Sequence, residues 1–157
     1  MAITLSKFLH SCTTLPNIIE SYESQENFRN EFIQLFNSPE ARSTSNVLYA
    51  FVCQKEIPRV RGNSNIIYIG QTKQILQFRY QPHHRYYCSE YNWEFFSYVI
   101  KHYGAVSLAY LTFDTTQSPK KAEKDLLMDY YKQHKENPPK NTQGYGSWGG
   151  EIKDWVR

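Results

Sequence analysis

Ile66-Ile67-Tyr68-Ile69-Gly70-Gln71-Thr72 decides how this chain is read, together with the upstream run Val47-Leu48-Tyr49-Ala50-Phe51-Val52. Both are rich in β-branched and aromatic residues, and the polar stretch from Glu56 to Asn65 between them carries Pro58 and Gly62. The pattern predicts an antiparallel hairpin with a long, basic loop. Strict alternation sets Tyr49 on one face with Val47 and Phe51, and Tyr68 on one face with Ile66 and Gly70.

Downstream, Gln74 to about Gln81 reads as helical. Trp93 to Tyr103 has Phe96, Val99, Ile100 and Tyr103 at helical spacing, with Gly104 as the stop. Val106 to Phe113 reads as a third strand. Ser118-Pro119 is an N-cap and first-turn pair for a helix to about His134, with Ala122, Leu126, Leu127 and Tyr130 facing inward. Upstream, Ser24 caps a segment whose Phe28, Phe32 and Phe36 recur every fourth residue, one apolar stripe that must pack on something. Leu5, Phe8 and Leu9 suggest a shorter helix, and a third short piece follows Pro16. After Pro138-Pro139 the tail is polar and glycine-rich, with Trp148 and Trp155 as anchors. The expected class is therefore α+β: a small antiparallel three-stranded sheet flanked by helices. Residues 1–45 form a helical extension packed on a core of residues 46–157.

With 157 residues the chain has the size of one ordinary domain. No run of about 18 apolar residues offers a membrane span, and Met1 to Leu15 is too interrupted by polar residues for a signal peptide. Cys12, Cys53 and Cys88, an odd number without close pairing, argue against a disulfide framework or a zinc site and for a reducing, cytoplasmic setting. The net charge is only +3 but is unevenly placed. Residues 1–40 carry two basic against five acidic side chains, a net of −3; residues 54–85 carry six basic against Glu56 alone, a net of +5. Positive charge thus gathers around the Tyr68-Ile69-Gly70 element, as a nucleic-acid face requires. Lys55, Arg59, Arg61, Gly70, Lys73 and Arg85 are the candidate DNA-binding positions. A tyrosine-bearing strand that stops at a glycine and enters a basic helix brings a phenol, a guanidinium and bare N–H groups together, which suits a phosphodiester.

From Val47 to Asn141 the chain resembles the GIY-YIG nuclease family. The second tripeptide of that signature stands intact as Tyr68-Ile69-Gly70; the first is Val47-Leu48-Tyr49, which keeps the tyrosine without the glycine. Arg79 lies nine residues beyond Gly70, where the family places an arginine early in the next helix, and His83 lies four further on, as in related restriction enzymes. Glu123 matches the family's metal-binding glutamate, and Asn141 after Pro138 its terminal asparagine. The resemblance implies a compact, restriction-like or mobile-element DNA endonuclease, with Tyr49, Tyr68, Arg79, His83, Glu123 and Asn141 as catalytic residues. It also implies Mg²⁺ on Glu123, with Mn²⁺ as a substitute, and double-stranded DNA as partner, and leaves homo-oligomerisation open. The physics fits these roles. One carboxylate holds Mg²⁺, which keeps waters and binds substrate phosphate; an arginine clamps phosphate oxygens; a phenol orients the attacking water, and a histidine relays a proton near neutrality. Tyr49, Tyr68 and His83 all stand as candidates for the base. The rival reading is a non-catalytic DNA-binding module that has kept the scaffold.

Overall fold

Strand β2 (Val47–Pro58) runs through the interior of a four-stranded antiparallel sheet, between β3 (Asn63–Thr72) and β4 (Val106–Thr112). The two-residue strand β1 (Thr13–Thr14) completes the order β1-β4-β2-β3. This computed structural model describes residues 2–80 and 90–141. His83, Arg85, Cys88 and the tail with Trp148 and Trp155 lie outside the described residues.

The helices are α1 (Leu5–Ser11), α2 (Gln25–Phe36), α3 (Pro39–Ser43), α4 (Leu76–Tyr80), α5 (Glu90–Tyr103) and α6 (Pro119–His134). Three caps act as their residue types dictate. The hydroxyls of Ser24, Ser38 and Ser118 accept from the amides of Asn27, Ala41 and Lys121, satisfying one orphan donor in each first turn. None of the described helices is long and apolar enough to cross a membrane.

The sheet has a helical layer on each face. Phe28, Phe32, Leu35 and Phe36 of α2 join Leu76 and Tyr80 of α4 and Phe96, Val99 and Ile100 of α5 against Val47, Tyr49, Phe51 and Leu108. On the other face, Leu5 and Phe8 of α1 and Ala122, Leu126, Leu127 and Tyr130 of α6 cover Leu48, Ala50, Ile69 and Ala109. The phenylalanine stripe of α2 is wholly inside, each ring contributing roughly 1.5–3 kcal/mol over exposure.

Three features differ from the sequence expectation. The sheet has four strands because the segment after α1 joins it: Thr13 and Thr14 pair with Tyr110 and Ala109, and Ile19 and Val106 exchange backbone hydrogen bonds of 2.8 Å. Buried Leu15 and Ile19 hold that segment down, so the piece after Pro16 is no helix and the first 45 residues are not solely helical. The hairpin loop is short: β2 reaches Pro58, β3 begins at Asn63, and Gly62 (φ +70°) closes a turn in which Arg59 N–H donates to Gly62 O at 2.9 Å. Lastly, the register slips between the pairs Phe51–Tyr68 and Val52–Ile66, a bulge that leaves Ile67 as the extra residue. Ile66 therefore packs toward α1 and α6 while Ile67 and Tyr68 pack toward α2 and α5, and Ile66 and Tyr68 do not share a face.

Candidate active site

The strand register builds the site. Tyr49 pairs with Gly70 and Phe51 with Tyr68, so both phenols stand on one face with ring centroids 6.2 Å apart. A Cβ added to Gly70 would lie 2.6 Å from Cζ and Oη of Tyr49 and 2.8 Å from Cε1 of Tyr68. The glycine is thus needed to let two rings close over the backbone. It is buried beneath them, which corrects the expectation that Gly70 offers backbone to DNA.

The two tyrosines differ in access. Tyr49 is 0% exposed, and its hydroxyl receives a 2.9 Å hydrogen bond from the hydroxyl of Tyr80. Tyr68 is half-buried. Of the two, Tyr68 is the phenol that solvent reaches.

Arg79 and Glu123 stand on helices that cover opposite faces of the sheet and follow strands that stop at the same end of it. Strands β3 and β4 finish at the same end, since both run antiparallel to β2. Helix α4 follows the first and α6 follows the second. Burial pushes the Glu123 carboxyl up to about 7; the charges of Arg79 and then Lys120 pull the other way but do not offset it. The Arg79 guanidinium also lies over the Tyr80 ring, 5.8 Å from its centroid. A concavity at the start of α6 is lined by Ser118, Lys120, Lys121, Glu123 and Lys124. The neighbouring carboxylates are engaged elsewhere: Asp125 pairs with Lys121 at 3.0 Å, and Asp129 accepts from the Leu5 amide at 2.8 Å.

Three expected residues serve other ends. Asn141 binds the free edge of β3 with its amide: Oδ1 accepts from Ile69 N–H and Nδ2 donates to Ile69 O, both at 2.9 Å. With Lys140 N–H donating to Ile67 O at 2.9 Å, this imitates a further strand and supports the site without facing it. Arg59 is engaged within the fold. Its Nη2 donates to Asn137 O at 2.7 Å and meets Glu136 at 2.8 Å, with its side chain 9% exposed. Arg61 sits in a turn docked on the end of α6, where its N–H donates to His134 O and its carbonyl meets His134 Nδ1 at 2.9 Å. That turn lies at the far end of the hairpin, about 25 Å from Gly70 along the strand. Lys55, exposed on β2, belongs to that half, whereas exposed Lys73 follows β3 at the site end.

Tyr80 and Lys120 were missed by sequence reasoning. Tyr80 carried one usable signal, since it stands four residues after Leu76 on the inward stripe of α4. Lys120 belongs to a run with Lys121 and Lys124 at the Ser118 cap, away from the basic segment that drew attention.

A Mg²⁺ ion fits this donor set in one way only. Among the described residues no three His, Cys, Asp or Glu side chains gather, so Glu123 alone would anchor it. Desolvation holds this half-buried carboxyl up to about 7, and a cation bound there would favour its ionised form.

No protein-family model, curated protein or solved structure matches the chain.

Proposed function

We propose that the chain is a metal-dependent DNA endonuclease that hydrolyses phosphodiester bonds through a GIY-YIG-type site. The observation that carries this reading is one convergence: Arg79 is coupled to the half-buried Glu123 at the sheet end where Tyr49 and Tyr68 close over Gly70. A guanidinium, a carboxylate and a phenol within one small region are what attack on a phosphodiester asks for.

Arg79 clamps the scissile phosphate, and Lys120 and Lys73 draw the flanking backbone in. Tyr68 orients the attacking water, with buried Tyr49 fixing its ring from behind. Glu123 would hold Mg²⁺, which would supply Lewis acidity toward the phosphate oxygens and the leaving oxygen. Double-stranded DNA therefore meets the end of the sheet where α4 and α6 begin. The hairpin tip faces away from it. A reducing, intracellular setting suits the free thiols of Cys12 and Cys53, the latter buried and pushed up to about 11 by desolvation.

Supercoiled plasmid incubated with the protein and Mg²⁺ tests the reading. Nicked or linear product that disappears with a chelator is expected. DNA binding without cleavage would favour the rival, a non-catalytic DNA-binding module, to which the complete burial of Tyr49 lends some weight. Neither binding nor cleavage would refute both.

A further inference from the structure

We infer that Tyr80 is a positioning residue that joins the two halves of the site; this rests on the nuclease reading above. Tyr80 touches each half with a different part of its side chain. Its hydroxyl donates to Tyr49 Oη at 2.9 Å, and its ring face receives the Arg79 guanidinium at 5.8 Å. The ring is itself held. It stacks on Phe36 with centroids 4.0 Å apart and planes at 21°, and meets Phe32, Tyr49 and Phe51 edge-on.

Burial makes the hydroxyl contact specific. Tyr49 is 0% and Tyr80 2% exposed, so water does not compete for the bond. The Tyr49 ring is thus held at its tip by both Tyr80 and the Gly70 backbone, with the Tyr68 ring against the same glycine and 6.2 Å away by centroid. Helix α4 thereby transmits one geometry to both the phenol pair and the arginine. A site that must hold its groups within fractions of an ångström needs such a joint.

Tyr80→Phe removes one oxygen and keeps the stack on Phe36 and the ring under Arg79. The expected result is single-turnover cleavage lower by about tenfold to a hundredfold, the loss typical of one buried hydrogen bond, with a lowered thermal midpoint and DNA affinity close to wild type. In a Tyr49→Phe background the same change should cost nothing further. In protein carrying ¹³Cζ-tyrosine, the Tyr49 resonance should move in Tyr80→Phe and stay in place in Tyr98→Phe, an exposed control. A stationary Tyr49 signal, or wild-type turnover in Tyr80→Phe, would overturn the inference while leaving the nuclease reading intact. A wild-type protein that cuts nothing would overturn both.

Discussion

The two ends of the β2–β3 hairpin carry similar sequence signals and meet opposite fates. At the tip, Arg59 in a polar, glycine-containing stretch finds Glu136 and the Asn137 carbonyl, and the whole turn folds onto the end of α6. Charge there is matched within the fold. At the other end, Arg79 meets a carboxyl that burial still holds up to about 7. Desolvation outweighs the charges of Arg79 and Lys120 there, a perturbation of the kind that clusters at functional sites. An arginine in a basic segment therefore identifies nothing until its partner is known.

The largest expected effect that would break this contrast is at Glu123. Glu123→Gln should lower cleavage by about a thousandfold or more while DNA binding persists, as measured by plasmid nicking and fluorescence anisotropy. The same variant should be more stable than wild type at pH 8. The carboxyl is raised in the folded state, so its favourable contribution is complete below about 4.5 and lost as pH rises through about 7. The gain should be about 1–3 kcal/mol, allowing for the solvent that reaches this group, and should vanish near pH 4.5. The Mg²⁺ concentration needed for half-maximal cleavage should rise as pH falls below about 7, because proton and metal compete for Glu123.

Gly70→Ala comes next. Its new Cβ would overlap both phenols, so a destabilisation of about 1–3 kcal/mol and a matching loss of turnover are expected in denaturant melts and cleavage assays. An unperturbed Gly70→Ala would mean that the rings do not close over this backbone.

Arg59→Ala and Lys120→Ala sharpen the comparison directly. Arg59→Ala should lower stability by about 1–3 kcal/mol, because it strands Glu136 and the Asn137 carbonyl, with little change in DNA affinity. Lys120→Ala should leave stability within about 0.5 kcal/mol and reduce the slope of binding against salt by about one. The opposite outcome, in which Arg59 governs salt-dependent binding and Lys120 does not, would move the DNA to the hairpin tip.

Much of the fold was legible because local rules sufficed. The Ser24 and Ser118 caps, the Phe28–Phe32–Phe36 stripe and the helix ending at Gly104 each follow from spacing alone, and all three expected strands form. The pairing of Tyr49 with Gly70 was within reach of alternation. The bulge was not, since Ile66 and Ile67 are both apolar and both buried, so neither face claims one by polarity. Strand β1 was hidden because two threonines give no periodic signal and depend on β4 for pairing. At the site, Arg79 and Glu123 came from the family resemblance, and the Arg79 charge acts on the Glu123 carboxyl. The contacts that Asn141 and Arg59 make within the fold were not legible because their partners, Ile69 and Glu136, lie more than 70 residues away in the chain. Tyr80 looked like one aromatic among thirteen tyrosines until its hydroxyl was found on that of Tyr49.

The central claim is that the Arg79–Glu123 end of the hairpin cuts DNA with Glu123 ionised. Single-turnover cleavage of supercoiled plasmid in Mg²⁺ at pH 8, with DNA binding measured in the same samples for wild type and Glu123→Gln, tests it most directly. The account expects wild type to nick and Glu123→Gln to bind equally well without nicking. Cleavage by Glu123→Gln at the wild-type rate would contradict it.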